Sequence, residues 1–263
     1  GTGVLTIGAL LGMAAHLDGL ECSVLDQTGM AQKGGAVTSH LRIGAPGRQL
    51  FAARLGTGMS DLLIACDLVV AAGADALRTI RPGITRAVLN TDVTPTGKFQ
   101  TDRDMDIDAT QLVSRVRETL GEGTAYSLPA TTLAARLTGD SIATNLLMLG
   151  FALQHGLLPV SLESIHGALR LHGGNVDANL RTLGLGRLLA AEPEHFAMPS
   201  PSSSPSLATV LAERESLLRA YQDEAWAAGY RAFLAAADAG LHASLDAQSR
   251  ERVLLTIART LAR

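Results

Sequence analysis

The sequence is poor in aromatic residues and in cysteine. Phe, Trp and Tyr make up 3% of the 263 residues, so any core must be built from Leu, Val, Ile and Ala. The two cysteines, Cys22 and Cys66, stand far apart, without a CxxC motif or metal-ligand spacing to the seven histidines. This pattern argues against a zinc or iron–sulfur site held by these residues alone, and it predicts a reducing, cytoplasmic location.

The chain also lacks an excess of positive charge and a long apolar run. Its formal net charge is −3, and no basic stripe carries interleaved aromatics, which excludes a general affinity for nucleic acid. The first 19 residues have no basic leader or cleavage site, and their apolar run is too short and interrupted to span a bilayer. We therefore expect neither a nucleic-acid partner nor a membrane partner.

Both ends of the sequence resemble interior positions of a longer protein. The chain opens with "GTGVLTIGALLGMAAHL", without an initiator Met or a strand ahead of the glycines. It stops on "RVLLTIARTLAR", an apolar helix without an end signal. We expect a longer parent chain on both sides.

What is present is an alternation of strand and helix patterns. Up to about Ala130, segments with the apolar patterns of strands are followed in turn by segments with helical periodicity, and after Ala130 only helical patterns occur. This order predicts a three-layer α/β/α sheet domain followed by a helical C-terminal segment. The stretch "PSPSSSPS" has little means of forming a core, so we divide the chain into a domain at 1–192, a Ser/Pro linker at 193–206 and a helical extension at 207–263.

The first candidate site is the "GTG" that opens the first helix. Glycines allow close backbone approach, and the free N–H groups of a helix start favour an anion. The same pattern also occurs in ordinary strand-to-helix turns. A full dinucleotide fingerprint cannot be tested here, and Asp26 is the only acidic candidate at the end of the next strand, where a turn-forming role is at least as good an explanation.

The second candidate is the loop "QTGMAQKGGAVT" at 27–38. It contains Gly34 and Gly35 beside Lys33, and no acidic residue. Lys33 could meet a phosphate or a carboxylate, whereas the simpler interpretation is a hairpin turn with one solvated lysine. Ser39 and His40 follow on a strand and point to opposite faces, with His40 either a base or a core histidine.

A polar loop after the strand "TRAVLN" is the third candidate. In open α/β sheets, ligands gather at the carboxyl ends of strands, so "NTDVTPTGK" predicts a second wall of a cleft, with an ordinary polar loop as the alternative. The segment "GDSIATN" at 139–145 loosely resembles the Mg²⁺ and thiamine diphosphate element of other enzymes, but Ser141 and the early Asn145 exclude it. No Gly-x-Ser-x-Gly or HExxH motif is present.

The order of these blocks resembles the gamma domain of 2-oxoacid:ferredoxin oxidoreductases, with the fused indolepyruvate type closest. The matching blocks are "GTGVLTIGALLGMAAHLDG", "VLDQTGMAQKGGAVTSHLRIG", "DLLIACDLVVAAG" and "RAVLNTDVTPTG", followed by the helical run that starts at "GDSIATNLLMLG". The resemblance extends over nearly the whole chain apart from the Ser/Pro-rich linker.

The resemblance implies oxidative decarboxylation of an aryl 2-oxoacid to an acyl-CoA, with ferredoxin as the electron acceptor. Thiamine diphosphate, Mg²⁺ and iron–sulfur clusters would be held by other domains of the parent chain, and this domain would shape the cleft and the entry of CoA. It implies no catalytic residue and no metal ligand in this chain. The implied contacts are Gly1, Thr2, Gly3, Lys33, Gly34 and Gly35 for cofactor, and Gln32, Ser39 and Thr94 for substrate.

Two other functions remain open at this point. Gly1–Gly3 ahead of a helix would also suit a free-standing nucleotide-binding module of the Rossmann type. The small-residue helix 4–17 and the apolar last helix would suit a structural domain that mediates subunit contact. We also expect a homodimer.

Overall fold

The computed structural model describes residues 3–29, 36–93, 108–196, 206–241 and 246–261. The chain divides into two compact units, Gly1–Phe196 and Ala197–Arg263. The first unit combines strands and helices, and the described part of the second is helical, which confirms the predicted fold class. The division falls within the predicted linker, and the assignment of a role to each segment stays a prediction.

The first unit contains five strands and eight α-helices in its described residues, and the second contains three helices. The strands are β1 (Glu21–Thr28), β2 (Val37–Gly44), β3 (Leu62–Ala65), β4 (Arg86–Asn90) and β5 (Ala125–Leu128). The helices of the first unit are α1 (Val4–Leu17), α2 (Leu68–Ala71), α3 (Ala74–Thr79), α4 (Ala109–Leu120), α5 (Ala130–Thr138), α6 (Thr144–Gln154), α7 (Leu162–His172) and α8 (Val176–Ala191). Those of the second are α9 (Leu207–Tyr221), α10 (Glu224–Leu241) and α11 (Ala247–Leu261).

Three parallel strands in the order β3-β4-β5 form the central sheet. Side chains of β4 alternate between its two faces, as a buried strand requires. Ala87 and Leu89 pack with α2 and α4, whereas Val88 packs in the larger core that contains Met148 and Phe151 of α6. The sheet therefore has helices on both faces, which is the three-layer arrangement.

Strands β1 and β2 form a separate antiparallel hairpin that packs on α1. The described strands of the parallel sheet do not pair with it. A dinucleotide-binding module of the Rossmann type would need β1 within the parallel sheet. The pairing of β1 therefore argues against that alternative.

Aspartate side chains cap several helical segments of the first unit. The Asp67 carboxylate accepts the backbone N–H groups of Val69 and Val70 at the start of α2. Asp140 caps a short 3-10 turn at Ser141–Ala143, and α6 begins after this turn, at Thr144. Its side chain accepts from the backbone of Ile142, two residues on, which favours a tight turn.

The second unit has its own small core between its three helices. Val210, Tyr230, Leu234 and Ala258 are buried there, and the Tyr230 hydroxyl donates to the backbone oxygen of Ala258 at 2.9 Å. Throughout the residues described above, every helix is too short or too polar to cross a membrane.

Candidate functional site

The hairpin runs back along α1 toward the N-terminal end of that helix. A Cβ on Gly12 would lie 3.2 Å from Val24, whereas a Cβ on Gly8, one turn earlier, would lie 2.5 Å from the Ser39 hydroxyl oxygen. The backbone N–H of Gly29 donates to Ala36 at 2.8 Å and closes the end of the hairpin. The loop that contains Lys33 therefore leaves the hairpin at the N-terminal end of α1.

The same end of α1 lies toward the carboxyl edge of the parallel sheet. Gly3 precedes α1 with a φ of 64°, and a Cβ at this position would overlap the Asn145 side chain in the first turn of α6. At the other end of α6, His155 stacks on Tyr126 near the start of β5, with 4.1 Å between ring centroids. Since the last turn of α6 lies near the start of β5, the first turn of α6 lies toward the opposite, carboxyl edge of the sheet. Gly3, which contacts that first turn, lies toward the same edge.

Asn90 joins the strand ends at that edge. Its Nδ2 donates to the backbone oxygen of Cys66 at 3.1 Å and to the Thr131 hydroxyl at 2.9 Å. Its Oδ1 accepts from the backbone of Ala130 at 3.0 Å and of Asp92 at 3.2 Å. Asn90 is 2% exposed, so all of these hydrogen bonds are made inside the protein. They join the ends of β3 and β4 to the start of α5, and we therefore assign Asn90 a structural role.

Asp92 fixes the first residues of the third candidate loop. Its carboxylate accepts from the backbone N–H of Thr132 at 2.7 Å and from the Thr132 hydroxyl at 3.1 Å, in the first turn of α5. A carboxylate in this position also favours the helix dipole. Asp92 is not among the predicted site residues, although its position just after the buried strand β4 is a signal that the sequence offers.

The structure places two of the nine predicted contact residues. Gly3 and Ser39 are described, and the remaining seven lie outside the described residues: Gly1, Thr2, Gln32, Lys33, Gly34, Gly35 and Thr94. The described residues that flank them, namely Gly3, Gly29, Ala36 and Val93, belong to the three segments that approach the carboxyl edge. The three candidate segments therefore start from the same end of the domain. The roles assigned to the individual residues stay predictions.

Ser39 and His40 face opposite sides of the hairpin, as predicted. The Ser39 hydroxyl is buried against Gly8 and has no hydrogen-bond partner within the described parts of the chain. His40 Nδ1 accepts from the backbone of Leu55 at 3.3 Å. Burial, together with the charges of Arg54 and Arg42, lowers the pKa of His40, so the imidazole is neutral at pH 7 and anchors the loop after β2.

The described residues do not offer a ligand set for a metal ion or an iron–sulfur cluster. No group of three or more His, Cys, Asp or Glu side chains comes together among them. Burial and the nearby Asp67 carboxylate raise the pKa of the Cys66 thiol to about 12, so this cysteine is protonated at neutral pH. Burial also raises the pKa of Cys22.

Comparisons with known proteins identify the family of this chain. The profile of the family described as pyruvate ferredoxin/flavodoxin oxidoreductase matches residues 1–189. The indolepyruvate oxidoreductase subunit IorB of Archaeoglobus fulgidus is 28% identical over 192 residues, which cover 71% of this chain and 89% of that protein.

Two solved structures share the fold. The pyruvate oxidoreductase subunit PORC of Thermotoga maritima has a TM-score of 0.50 at 20% identity and covers 71% of this chain and 89% of its own. The 2-oxoglutarate:ferredoxin oxidoreductase of Magnetococcus marinus has a TM-score of 0.51 at 19% identity, over 72% of this chain and 29% of its own.

The family match spans the central sheet, the hairpin and all helices that pack on them, and it ends before the second unit. The relationship inferred from the ordered sequence blocks is thereby confirmed. The chain belongs to the pyruvate ferredoxin/flavodoxin oxidoreductase family.

Proposed function

We propose that this chain forms one wall of the active-site cleft in an indolepyruvate-type 2-oxoacid:ferredoxin oxidoreductase. The reaction is the oxidative decarboxylation of an aryl 2-oxoacid to an acyl-CoA. The observation that carries the proposal is that three segments start from the carboxyl edge of the sheet: the start of α1, the hairpin loop and the loop after β4. The relative from Archaeoglobus fulgidus, an indolepyruvate oxidoreductase subunit, supports the choice of substrate class.

In this proposal the chain binds and orients anionic groups. Lys33 supplies a cation, and Gly34 and Gly35 let the backbone N–H groups approach a phosphate of CoA or the carboxylate of the 2-oxoacid. Gly1, Thr2 and Gly3 bring the N-terminal end of α1, with its partial positive charge, to the same cleft. Gln32, Ser39 and Thr94 are the hydrogen-bonding groups assigned to the substrate.

The redox chemistry belongs to other components of the enzyme. Thiamine diphosphate with Mg²⁺ would stabilise the carbanion, and iron–sulfur clusters would pass electrons singly to ferredoxin. The described residues of this chain do not provide ligands for these groups, so we assign them to thiamine-binding and iron–sulfur partners of the same parent chain. The two free cysteines suit a cytoplasmic assembly.

A structural neighbour supports the assignment of CoA and a 2-oxoacid as ligands. The 2-oxoglutarate:ferredoxin oxidoreductase of Magnetococcus marinus was solved with 2-oxoglutarate, coenzyme A and succinyl-CoA bound. We assign the same two classes of ligand to this chain, with an arylmethyl group in place of the carboxyethyl group of 2-oxoglutarate.

The replacement Lys33→Ala in the intact parent enzyme tests the proposal. A lost charge-assisted hydrogen bond is worth roughly 1.5–3 kcal/mol, so we expect the KM for CoA or for the 2-oxoacid to rise about ten-fold or more. The turnover number should change little, because the chemistry occurs on groups that other components hold. Steady-state kinetics with each substrate varied in turn gives both constants.

Arg48→Ala is the matched control for Lys33→Ala. Arg48 is an exposed cation beyond the last residue of β2, at the end of the hairpin opposite to the Lys33 loop. Its removal should leave both KM values unchanged. If Lys33→Ala leaves both KM values and the turnover number at the level of the unaltered enzyme, the role that we assign to Lys33 is wrong.

A further inference from the structure

The second unit exposes an apolar face on α10 that the family match does not explain. Trp226, Gly229, Phe233 and Ala236 follow one another at spacings of three and four residues, which places them on one side of the helix. We call these four residues the α10 stripe. Trp226 is 53% exposed and Phe233 is 51% exposed. The residues of α10 that pack into the core of the unit are others, namely Ala227, Tyr230 and Leu234.

The α10 stripe carries no charge. The three charged residues of the helix lie on the side opposite to the stripe, and each forms an ion pair within the unit. Arg231 pairs with Glu224 at 2.8 Å and with Glu215 of α9 at 3.4 Å, and Asp238 pairs with Arg250 of α11 at 3.2 Å. A strongly acidic or basic partner would therefore find no counter-charge on the stripe, which favours an apolar partner surface.

The spacing of large and small residues in the stripe is self-complementary. When two copies of α10 lie antiparallel, Trp226 of one faces Ala236 of the other, and Phe233 of one faces Gly229 of the other. Each aromatic ring then meets a small residue, as in the packing of a large side chain into a gap of the facing helix. Space is open at Gly229, where a Cβ would have no neighbour within 4 Å. We propose that the α10 stripe is the dimer contact between two copies of this chain.

The area of the stripe indicates a reversible dimer. An 18-residue helix is about 27 Å long, and each half-exposed aromatic contributes roughly 100 Å². Across the two copies, the four half-exposed aromatic rings bury roughly 400 Å², and the facing Ala and Gly positions add to this area. A contact smaller than about 1,200 Å² is typical of weak, transient association, so we expect the dimer to dissociate on dilution. Twofold symmetry makes the contact closed, so it stops at two copies.

The chain contains an internal reporter for this contact, because Trp226 is its single tryptophan. The full 263-residue chain is diluted from about 100 μM to about 0.1 μM, a range that brackets a micromolar dissociation constant. Sedimentation velocity should show dimer giving way to monomer, and the tryptophan emission should shift to longer wavelength with the same midpoint. A chain that sediments as a monomer across the whole range overturns the proposal.

Gly229→Glu places a charge in the centre of the contact, and Gly184→Glu is its matched control. Both glycines are exposed, helical and without neighbours at the Cβ position, so both variants should keep the fold, as measured by circular dichroism. We expect Gly229→Glu to weaken dimerisation roughly a hundred-fold, since a buried unpaired charge is costly. Gly184→Glu, in α8 of the first unit, should leave it unchanged. A dimer that Gly229→Glu does not weaken overturns the proposal.

Mixing two variants tests the antiparallel orientation. Phe233→Lys alone should also yield monomer, whereas a mixture with Gly229→Glu should form a heterodimer, because the new glutamate faces the new lysine. The second pair of positions in that heterodimer keeps its original Phe233 and Gly229. Failure of the mixture to associate, with each variant folded and monomeric, rules out the antiparallel pairing.

Discussion

At the residue scale, Asp18 ties together two distant parts of the chain. Its carboxylate, at the end of α1, accepts from the backbone N–H of Ser161 at 2.7 Å and from the Ser161 hydroxyl at 2.7 Å. It also accepts from the Ser164 hydroxyl at 2.6 Å. These hydrogen bonds, led by that of Ser164, lower the pKa of Asp18. The contact fixes the start of α7 against the end of α1.

Replacing Asp18 by Asn should therefore reduce the free energy of unfolding at pH 7 by about 1–3 kcal/mol, since the amide nitrogen cannot accept these bonds. A carboxyl group with a lowered pKa in the folded state stabilises it above its unfolded pKa of about 3.9, and this contribution is lost as the pH falls through the lower, folded value. The difference between the two proteins should thus be full above about pH 5 and disappear in acid.

Urea unfolding at several pH values measures the effect of Asp18→Asn. Asp26→Asn is the control, because Asp26 is an exposed carboxyl on β1. The interpretation is wrong if the two variants lose the same stability, or if the loss from Asp18→Asn persists unchanged at pH 3.

Only some residues of the candidate site could be predicted from the sequence. The Lys33, Gly34 and Gly35 combination could be selected from the sequence, because a cation beside two glycines is a chemical pattern. The anchoring role of Asn90 could not, since its partners Cys66 and Thr131 are 24 and 41 positions away. An isolated Asn after a strand has the same appearance whether it binds a ligand or joins strands.

At the element scale, the contact between α6 and α8 depends on two glycines. A Cβ on Gly150 would overlap the backbone oxygen of Leu183, and a Cβ on Gly186 would overlap the backbone oxygen of Leu147. Each glycine thus lets the backbone of the other helix approach closely. The buried Leu147 and Leu183 lie in the same core, so the spacing of the two helices determines how this core packs.

Alanine at Gly150 or Gly186 should destabilise the first unit by about 3 kcal/mol or more, because backbone atoms cannot move aside as a flexible side chain does. The control is Gly184→Ala in the same helix α8, where space is open. That variant should gain up to about 1 kcal/mol from helix propensity. Thermal unfolding of the three variants measures the differences, and equal midpoints would disprove the close contact.

Most elements could be predicted because their signals are local. Helix α4 spans Ala109–Leu120, where the sequence has helical periodicity, and Asp67 caps α2, where a carboxylate favours the helix dipole. The start of α6 is harder to locate from the sequence, because Asp140 is equally typical of a turn and of a helix start. The hairpin of β1 and β2 agrees with the simpler interpretation of the loop at 27–38, whereas its separation from the parallel sheet depends on distant strands, which local patterns do not encode.

At the scale of the whole molecule, the hydrophobic clusters separate by unit. The two larger clusters draw on residues up to Phe196, and the third draws only on residues from Leu207 onward. The family match likewise ends at residue 189. The proposed cleft wall thus concerns the first unit, and the proposed α10 contact concerns the second.

A chain that ends at Phe196 should therefore unfold cooperatively, since it keeps both larger clusters complete. We expect a single thermal transition by circular dichroism and no change in the amide signals of the buried β4 residues. The full-length chain is the control. Loss of the cooperative transition on truncation would show that the first unit needs the second for its stability.

The sequence by itself determined the class of fold, the family and the types of group that could meet an anion. These depend on periodicity, on ordered motifs and on side-chain chemistry, all of which are local or additive. Only the tertiary structure decided that the hairpin stands apart from the parallel sheet, that Asn90 is an anchor and that α10 leaves Trp226 and Phe233 uncovered. Such features depend on which distant residues pack together, and that packing is a property of the folded chain as a whole.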